Sequence, residues 1–278
     1  MLHKFLFLLV TLWTGLLLTA YLQVPEQNLQ IHYLSVGQGD ATLIEGPDGQ
    51  KILLDGGPFS NILPELGKLM PYYDKKIDLI ILTHPHADHI DGLVEILKRY
   101  EVKNILLNPV FYKSSTYLEF LETIKGQDLN FIPATNKYGL EIGDSLFFEI
   151  LFPFADTSFM EFKNINNSSM VIRLKYGENI FLFTGDAEEE VEELLLRSEQ
   201  DLSATYFQAG HHGSKTANTL YLLEKVNPKL VIISSGTDNK FGHPHQETLD
   251  RLNSWEIAYL DLKETGTFSL VCDLRECM

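Results

Sequence analysis

Cysteine is scarce: the 278-residue chain has two, Cys272 and Cys277, both near its C-terminus. No cysteine cluster has zinc-ligand spacing, so any metal must sit on His, Asp and possibly Asn. The two thiols are close enough to form a small disulfide loop in an oxidising compartment; two free thiols are the alternative. Positive charge is scarce as well. Twenty-two Lys and Arg stand against 38 Asp and Glu, a formal net charge of −16. That balance argues against a surface gripping nucleic acid by phosphate neutralisation alone. A polyanionic substrate would have to be held locally, by metal ions and a few lysines. What is plentiful is core material. With 45% hydrophobic and 22% charged residues, the composition is that of a folded protein of one large or two small domains.

The first apolar material is a segment, not a core. Phe5 to Leu22 is broken only by Thr11, Thr14, Gly15 and Thr19. As a helix it would be roughly 27 Å long, close to the ~30 Å hydrocarbon layer. The nearby positive charge, Lys4 behind His3, precedes it, which puts the rest of the chain outside the cytoplasm. A cleaved leader is the rival reading. Its best cut, after Leu18-Thr19-Ala20, has no small residue at −3, and no cysteine is there for lipidation. The expected organisation is therefore an anchor or signal peptide over 1–23, a linker with Pro25 over 24–28, and a folded domain over 29–278. The product is extracytoplasmic, membrane-anchored through an N-terminal helix or secreted.

Chemistry gathers where strands end. Ile77 to Leu82 is a nearly continuous apolar run, read as a buried strand, and it delivers Thr83-His84-Pro85-His86-Ala87-Asp88-His89 into a loop. Pro85 stiffens that loop, and a helix is expected from Ile90 to Tyr100. Four ligand-type side chains in six residues fit a divalent transition metal better than a packing role. Other strands end similarly. Leu54 leads to Asp55, Phe183 to Thr184-Gly185-Asp186, Gln208 to the loop holding His211 and His212, and Ser234 to the loop holding Lys240, His243 and His245. Asp40, behind Gly37-Gln38-Gly39, is either a hairpin-turn aspartate or one turned toward a site. Asp55 is either a cap or a residue that fixes the ligand loop by hydrogen bonds. Glu188, Glu189 and Glu190 read as a solvated helix start over Ala187–Ser198. Twice over, the order is hairpin, acid-ended strand, helix, strand, histidine loop. Two similar halves flanking a shared cleft are expected, without a readable sequence repeat.

These blocks resemble the metallo-β-lactamase superfamily. Thr83 to His89 is similar to its HxHxDH motif, with Asp55, Asp186 and the His211-His212 pair as its other acids and late histidine. Within it, Val36 to Asp40, Asn167-Ser168-Ser169, Phe183 to Asp186, Gly210 to Ser214 and Gly242 to His245 resemble the hydrolase-like domain of the ComEC DNA-uptake proteins. The resemblance spans about residues 30–270. It implies an α/β fold, an αββα four-layer sandwich with metals at the edge of its two sheets, here behind a single N-terminal hydrophobic helix. The channel-forming membrane domain of ComEC is absent from the sequence. The family's mid-chain metal-binding histidine is absent too; Asn164, Asn166, Asn167 and serines stand in that region. Manganese thereby competes with zinc for an oxygen-rich site.

The resulting expectation is a hydrolase using a metal-bound hydroxide at two divalent ions, Zn or Mn. His84 and His86 hold the first ion, Asp88, His89 and His211 the second, and Asp186 bridges them. His212 is interchangeable with His211 at this stage. Asp88 also orients the hydroxide, and His243 or His245 donates a proton or holds a phosphate. Asp40, Asp55, Asn167, Ser169 and Lys215 are expected as supporting or substrate-contacting residues. The favoured substrate is a phosphodiester such as single-stranded DNA. The rivals are another ester or amide (a lactone, a β-lactam, a cell-wall phosphodiester) and an inactive binding domain of an uptake or envelope complex.

Overall fold

The computed structural model describes residues 28–135, 139–237 and 239–278, together with 11, 13 and 14. Apart from those three residues, the expected anchor over 1–23 lies outside the described residues, as does most of the linker. Among those described, no helix is long and apolar enough to cross a membrane.

The first half opens with three strands in antiparallel succession, β1 (Leu29–Tyr33), β2 (Thr42–Glu45) and β3 (Lys51–Leu54). Helix α1 (Ile62–Leu69) then leads to β4 (Lys76–Leu82), α2 (Ala87–Leu97), β5 (Glu101–Leu107), α3 (Ser115–Lys125) and β6 (Asn130–Pro133). These last three strands run parallel, each joined to the next by a helix. The second half repeats the scheme. The antiparallel strands are β7 (Leu140–Ile142), β8 (Leu146–Phe152), β9 (Val171–Tyr176) and β10 (Asn179–Phe183). After α4 (Glu189–Arg197) come β11 (Tyr206–Gln208), α5 (Leu220–Val226), β12 (Leu230–Ile233), α6 (Gln246–Ser254) and β13 (Ala258–Asp261), again parallel. A helical turn, α7 (Leu262–Thr265), follows, and β14 (Phe268–Cys272) crosses back to pair with β1. The sheet orders are β14-β1-β2-β3-β4-β5-β6 and β13-β12-β11-β10-β9-β8-β7.

Side-chain alternation explains the layering. On β4, Leu79 and Ile81 belong to a core shared with the other sheet, while Ile80 and Leu82 belong to one shared with helices α1 to α3. On β10, Phe181 and Phe183 face the first sheet and Leu182 faces the core under α4 to α6. Each sheet is thus buried on both faces, giving helix, sheet, sheet, helix. This is why β4 reads as a nearly continuous apolar run, broken only by Asp78 after Ile77.

Several boundaries move. Helix α2 stops at Leu97, short of the expected Tyr100; it starts at Ala87, so Asp88 and His89 lie in its first turn, where the helix dipole favours a carboxylate. Strand β7 was not legible: it forms an edge pair with β8, and although Leu140 and Ile142 alternate with Glu141 to pack on the core, three residues are too few for that alternation to stand out.

Candidate active site

The parallel strands of both halves direct their C-terminal ends to one edge of the sandwich, and the acid and histidine loops meet there. Three residues fix the first loop. Asp55 accepts hydrogen bonds from the Thr83 backbone N–H (2.8 Å), the Thr83 hydroxyl (2.6 Å) and His89 Nδ1 (2.8 Å). With Nδ1 held there, His89 turns Nε2 toward Asp186. Gly39 and Gly92 allow the close packing this needs. A Cβ on Gly39, at φ +147°, would lie 2.2 Å from the Asp88 carbonyl oxygen, and one on Gly92 would lie 1.9 Å from that of Gly56.

Asp186 enters from the second sheet, its N–H donating to Ser169 Oγ at 3.0 Å. Its two oxygens divide the imidazoles between them. Oδ1 lies 3.2 Å from His89 Nε2 and 3.4 Å from His212 Nε2. Oδ2 lies 3.5 Å from His84 Nε2 and 3.9 Å from His211 Nε2. The adjacent histidines reach opposite sides because both have left-handed backbone, φ 49° at His211 and 55° at His212. Such a conformation costs about 1–3 kcal/mol per non-glycine residue, and the surroundings hold it. Asn218 brackets the turn, accepting from Gly210 N–H and donating to the Gly210 carbonyl, both at 2.8 Å. His212 Nδ1 donates to the Ser234 carbonyl at 3.0 Å and lies 3.2 Å from Asp40 Oδ1, so its Nε2 faces inward. Asp88 Oδ2 is 3.4 Å from that Nε2.

Two donor groups result. Asp40, His89, Asp186 and His212 each offer an atom within 4.8 Å of the others, and so do His84, His86 and Asp186. The donor atoms fit divalent metal. Among the described residues, His84 Nε2, His89 Nε2, His212 Nε2, Asp186 Oδ1 and Asp40 Oδ1 are buried without a hydrogen-bond partner. Unpaired buried polar atoms of this kind are costly, and a cation between them removes the cost. Electrostatics agree. Burial works against charged rings at His89 and His212, yet Asp186 with Asp55 or Asp40 raises both well above the ordinary histidine range. Burial likewise works against charge at Asp186, but His212, His89 and His84 hold its carboxyl well below the usual range. Burial and the neighbouring His89 push His84 far down. A divalent ion would take the place of the protons on His89 and His212.

The cleft above these groups is a cavity of about 550 Å³ whose lining includes Gln38, His86, Asp88, Tyr112, Phe241 and His243. His243 is buried, and desolvation with the nearby His212 and His211 pushes it down to about 4, so it is neutral at neutral pH. Gln38 sets its tautomer. Gln38 Oε1 accepts from Gly236 N–H at 3.2 Å, so its amide nitrogen donates to His243 Nδ1, also at 3.2 Å. The proton of His243 then sits on Nε2. His245 also lines the cavity, its Nδ1 accepting from the Lys215 N–H at 3.1 Å.

Some expectations change. The geometry decides between the two late histidines, which the sequence left interchangeable: His212 groups with Asp88 and His89, and His211 sits on the His84 side of Asp186. The Lys215 ammonium is not brought to the cleft: it is 3.5 Å from Glu247 at the surface. Glu188 is more than a solvated helix start, since it lies 3.2 Å from His211 Nδ1 and accepts from Asn166 Nδ2 at 2.9 Å. Asn167 bonds the same segment, donating to Glu190 at 2.8 Å and accepting from Glu188 N–H at 3.0 Å. Sequence reading missed Gln38, Tyr112 and Phe241. Gln38 lies in a glycine loop already singled out; the two aromatics carry no signal apart from their place in loops after strands.

A sequence profile of the metallo-beta-lactamase superfamily matches residues 34–236, which contain the Asp186 cluster and all of its histidines. The chain belongs to this superfamily. It is 28% identical over 260 residues to ComE operon protein 3 of Bacillus subtilis, covering 86% of this chain and 32% of that protein. It is 32% identical over 249 residues to Recombination protein 2 of Haemophilus influenzae, covering 88% of this chain and 29% of that one. The chain thus spans about a third of the length of these competence-related relatives, as the resemblance to ComEC proteins implied. The metallo-beta-lactamase fold protein YhfI of Bacillus subtilis superposes with a TM-score of 0.58 at 13% identity, over 87% of this chain and all of that one. That likeness concerns the fold.

Proposed function

We propose that this protein is an extracytoplasmic, metal-dependent phosphodiesterase acting on nucleic acid in a single-stranded form. The observation that carries the reading is the division of four imidazoles between the two oxygens of Asp186. It suits one ion held by His84, His86 and His211 and a second held by Asp88, His89 and His212, with Asp186 shared and Asp40 beside the second. His211 then occupies the role left open by the missing mid-chain histidine, with Glu188 orienting it as Asp55 orients His89. Divalent ions held there would supply an acidified water and neutralise charge developing on a phosphoryl oxygen. The remaining work belongs to the chain. Asp88, in contact with His212 and open to the cavity, orients the attacking water. Neutral His243, its proton fixed on Nε2 by Gln38, donates to a phosphate oxygen from the far wall.

A nucleic-acid substrate is supported by similarity to a protein named for recombination and to another named for a competence operon. Location outside the cytoplasm is supported by the apolar N-terminal run and by the disulfide between Cys272 and Cys277. The test is turnover of bis-p-nitrophenyl phosphate and of single-stranded DNA by the manganese- or zinc-loaded protein. Diesterase activity that disappears in Asp88→Ala is expected. Activity surviving that change contradicts the mechanism, and a metal-loaded protein inert on both substrates contradicts the function.

A further inference from the structure

The mouth of the cleft carries aromatic rings that the hydrolytic chemistry does not need. Tyr112, from the loop between β5 and α3, lines the cavity with its ring 5.8 Å from that of His86. Phe241, from the loop between β12 and α6, lines it from the other half, stacked on His243 at 5.7 Å and 22°. Phe241 remains 53% exposed, an unfavourable placement for so large an apolar ring unless something covers it. Beyond Tyr112 the apolar surface continues. Phe111 is 50% exposed, and its N–H donates at 2.9 Å to the carbonyl of Met160, itself 52% exposed beside an even more exposed Phe159.

Each end of this strip also carries a cation. Lys113 Nζ lies 5.7 Å from the Phe111 ring centre and Lys240 Nζ 5.3 Å from that of Phe241. Among the described residues, no carboxylate forms an ion pair with either ammonium. In a chain of net charge −16, unneutralised lysines beside a metal cleft are local features, of the kind a polyanion would require. Alternating rings and ammonium groups along a cleft are the chemistry that holds a single nucleic-acid strand, bases on the rings and phosphates on the cations. Duplex bases are already stacked on one another and offer no free face to such rings.

We propose that Tyr112 and Phe241 are base-stacking platforms flanking the reacting phosphodiester, and that Lys113 and Lys240 hold neighbouring phosphates, so that the cleft selects single strands. The proposal deepens the phosphodiesterase reading and rests on it for the location of the reacting bond. The selection comes from bases, so a strand with the same phosphates and no bases should bind poorly.

The test is fluorescence anisotropy with the full chain in detergent and calcium, using a labelled twelve-residue oligothymidylate, an abasic strand of equal length and a duplex. The wild type is expected to bind oligothymidylate about 5- to 100-fold more tightly than the abasic strand. Tyr112→Ala and Phe241→Ala should each erase much of that preference, while Phe241→Trp, which keeps a ring, should restore it. Lys113→Ala with Lys240→Ala should instead lower the slope of log Kd against log salt by roughly 1.4, the value for two phosphates on a single strand. Equal affinity for the abasic and thymidine strands, tighter binding of the duplex, or alanine variants that bind like wild type would overturn the proposal. Hydrolysis of bis-p-nitrophenyl phosphate by the wild type separates the two readings. If it persists while base preference is absent, the platforms fail and the phosphodiesterase stands. If base preference is present without hydrolysis, the reverse holds.

Discussion

Arg173 and Asp186 are each 2% exposed, one on β9 and the other just past the end of the neighbouring β10, and their surroundings differ in kind. The Arg173 guanidinium uses four of its five N–H donors. Its nitrogens donate to the Ser203 carbonyl (2.8 Å), Glu149 (2.9 Å), Asp201 (2.6 Å) and Ser203 Oγ (3.1 Å). Asp186 sits among imidazole nitrogens at 3.2–3.9 Å, and its Oδ1 has no hydrogen-bond partner among the described residues. Both clusters bury charge, yet one is closed by the protein's own groups while the other is arranged around a space. A cluster built for stability satisfies its members; one built to hold an ion keeps donor atoms pointed at a common centre.

The comparison is tested most severely by removing one charge from each cluster. Asp186→Asn should lower diesterase turnover by roughly a thousandfold or more, because the shared carboxylate is lost. Arg173→Ala should leave turnover and metal content intact. Its effect should appear in folding, as a loss of about 2–4 kcal/mol, since the partner carboxylates are exposed enough for water to take over. Thermal denaturation and metal analysis of both variants check this. If Arg173→Ala releases metal, or Asp186→Asn keeps full turnover, the distinction collapses.

Smaller effects sharpen it. Asp55→Asn keeps the size of the group that orients His89 but weakens its acceptor strength. Metal affinity should fall about 10- to 100-fold, measured by competition with a chromogenic chelator. The smallest effect concerns pH. Desolvation pushes Asp201 up, but hydrogen bonds from Ser203 and the Arg173 charge hold it below its ordinary 3.8. A carboxyl depressed by folding contributes stability above its unfolded pKa and loses that contribution as pH falls. The stability gap between wild type and Arg173→Ala should therefore narrow below about pH 4, in urea titrations across that range.

Much of this organisation was legible in the residues. The apolar run Ile77 to Leu82 identified a strand buried on both faces, and its ending in His84, His86, Asp88 and His89 pointed to the donor atoms that the structure gathers around Asp186. Strand-end acids at Asp55 and Asp186 were visible as well, although Asp55 alone read equally well as a cap until the loop of Thr83 and His89 was found against it. Which of two adjacent histidines turns inward was not legible. In a regular strand they would face opposite ways, and the answer depends on left-handed backbone at both, held by Asn218 shortly after the pair and by Ser234 at the end of the next strand. The role of Glu188 was hidden likewise, because a glutamate at a helix start is ordinary until Asn166 and His211 are found against it. Strand β7 turns only Leu140 and Ile142 to the core, too short an alternation to stand out.

Metal stoichiometry tests the central claim most directly. Elemental analysis of the protein equilibrated with manganese or zinc should give two ions per chain, with His211→Ala and His212→Ala each losing one, and the double variant both. Less than one ion per chain at saturation, or single variants that lose no metal, would contradict the two-sided pocket around Asp186.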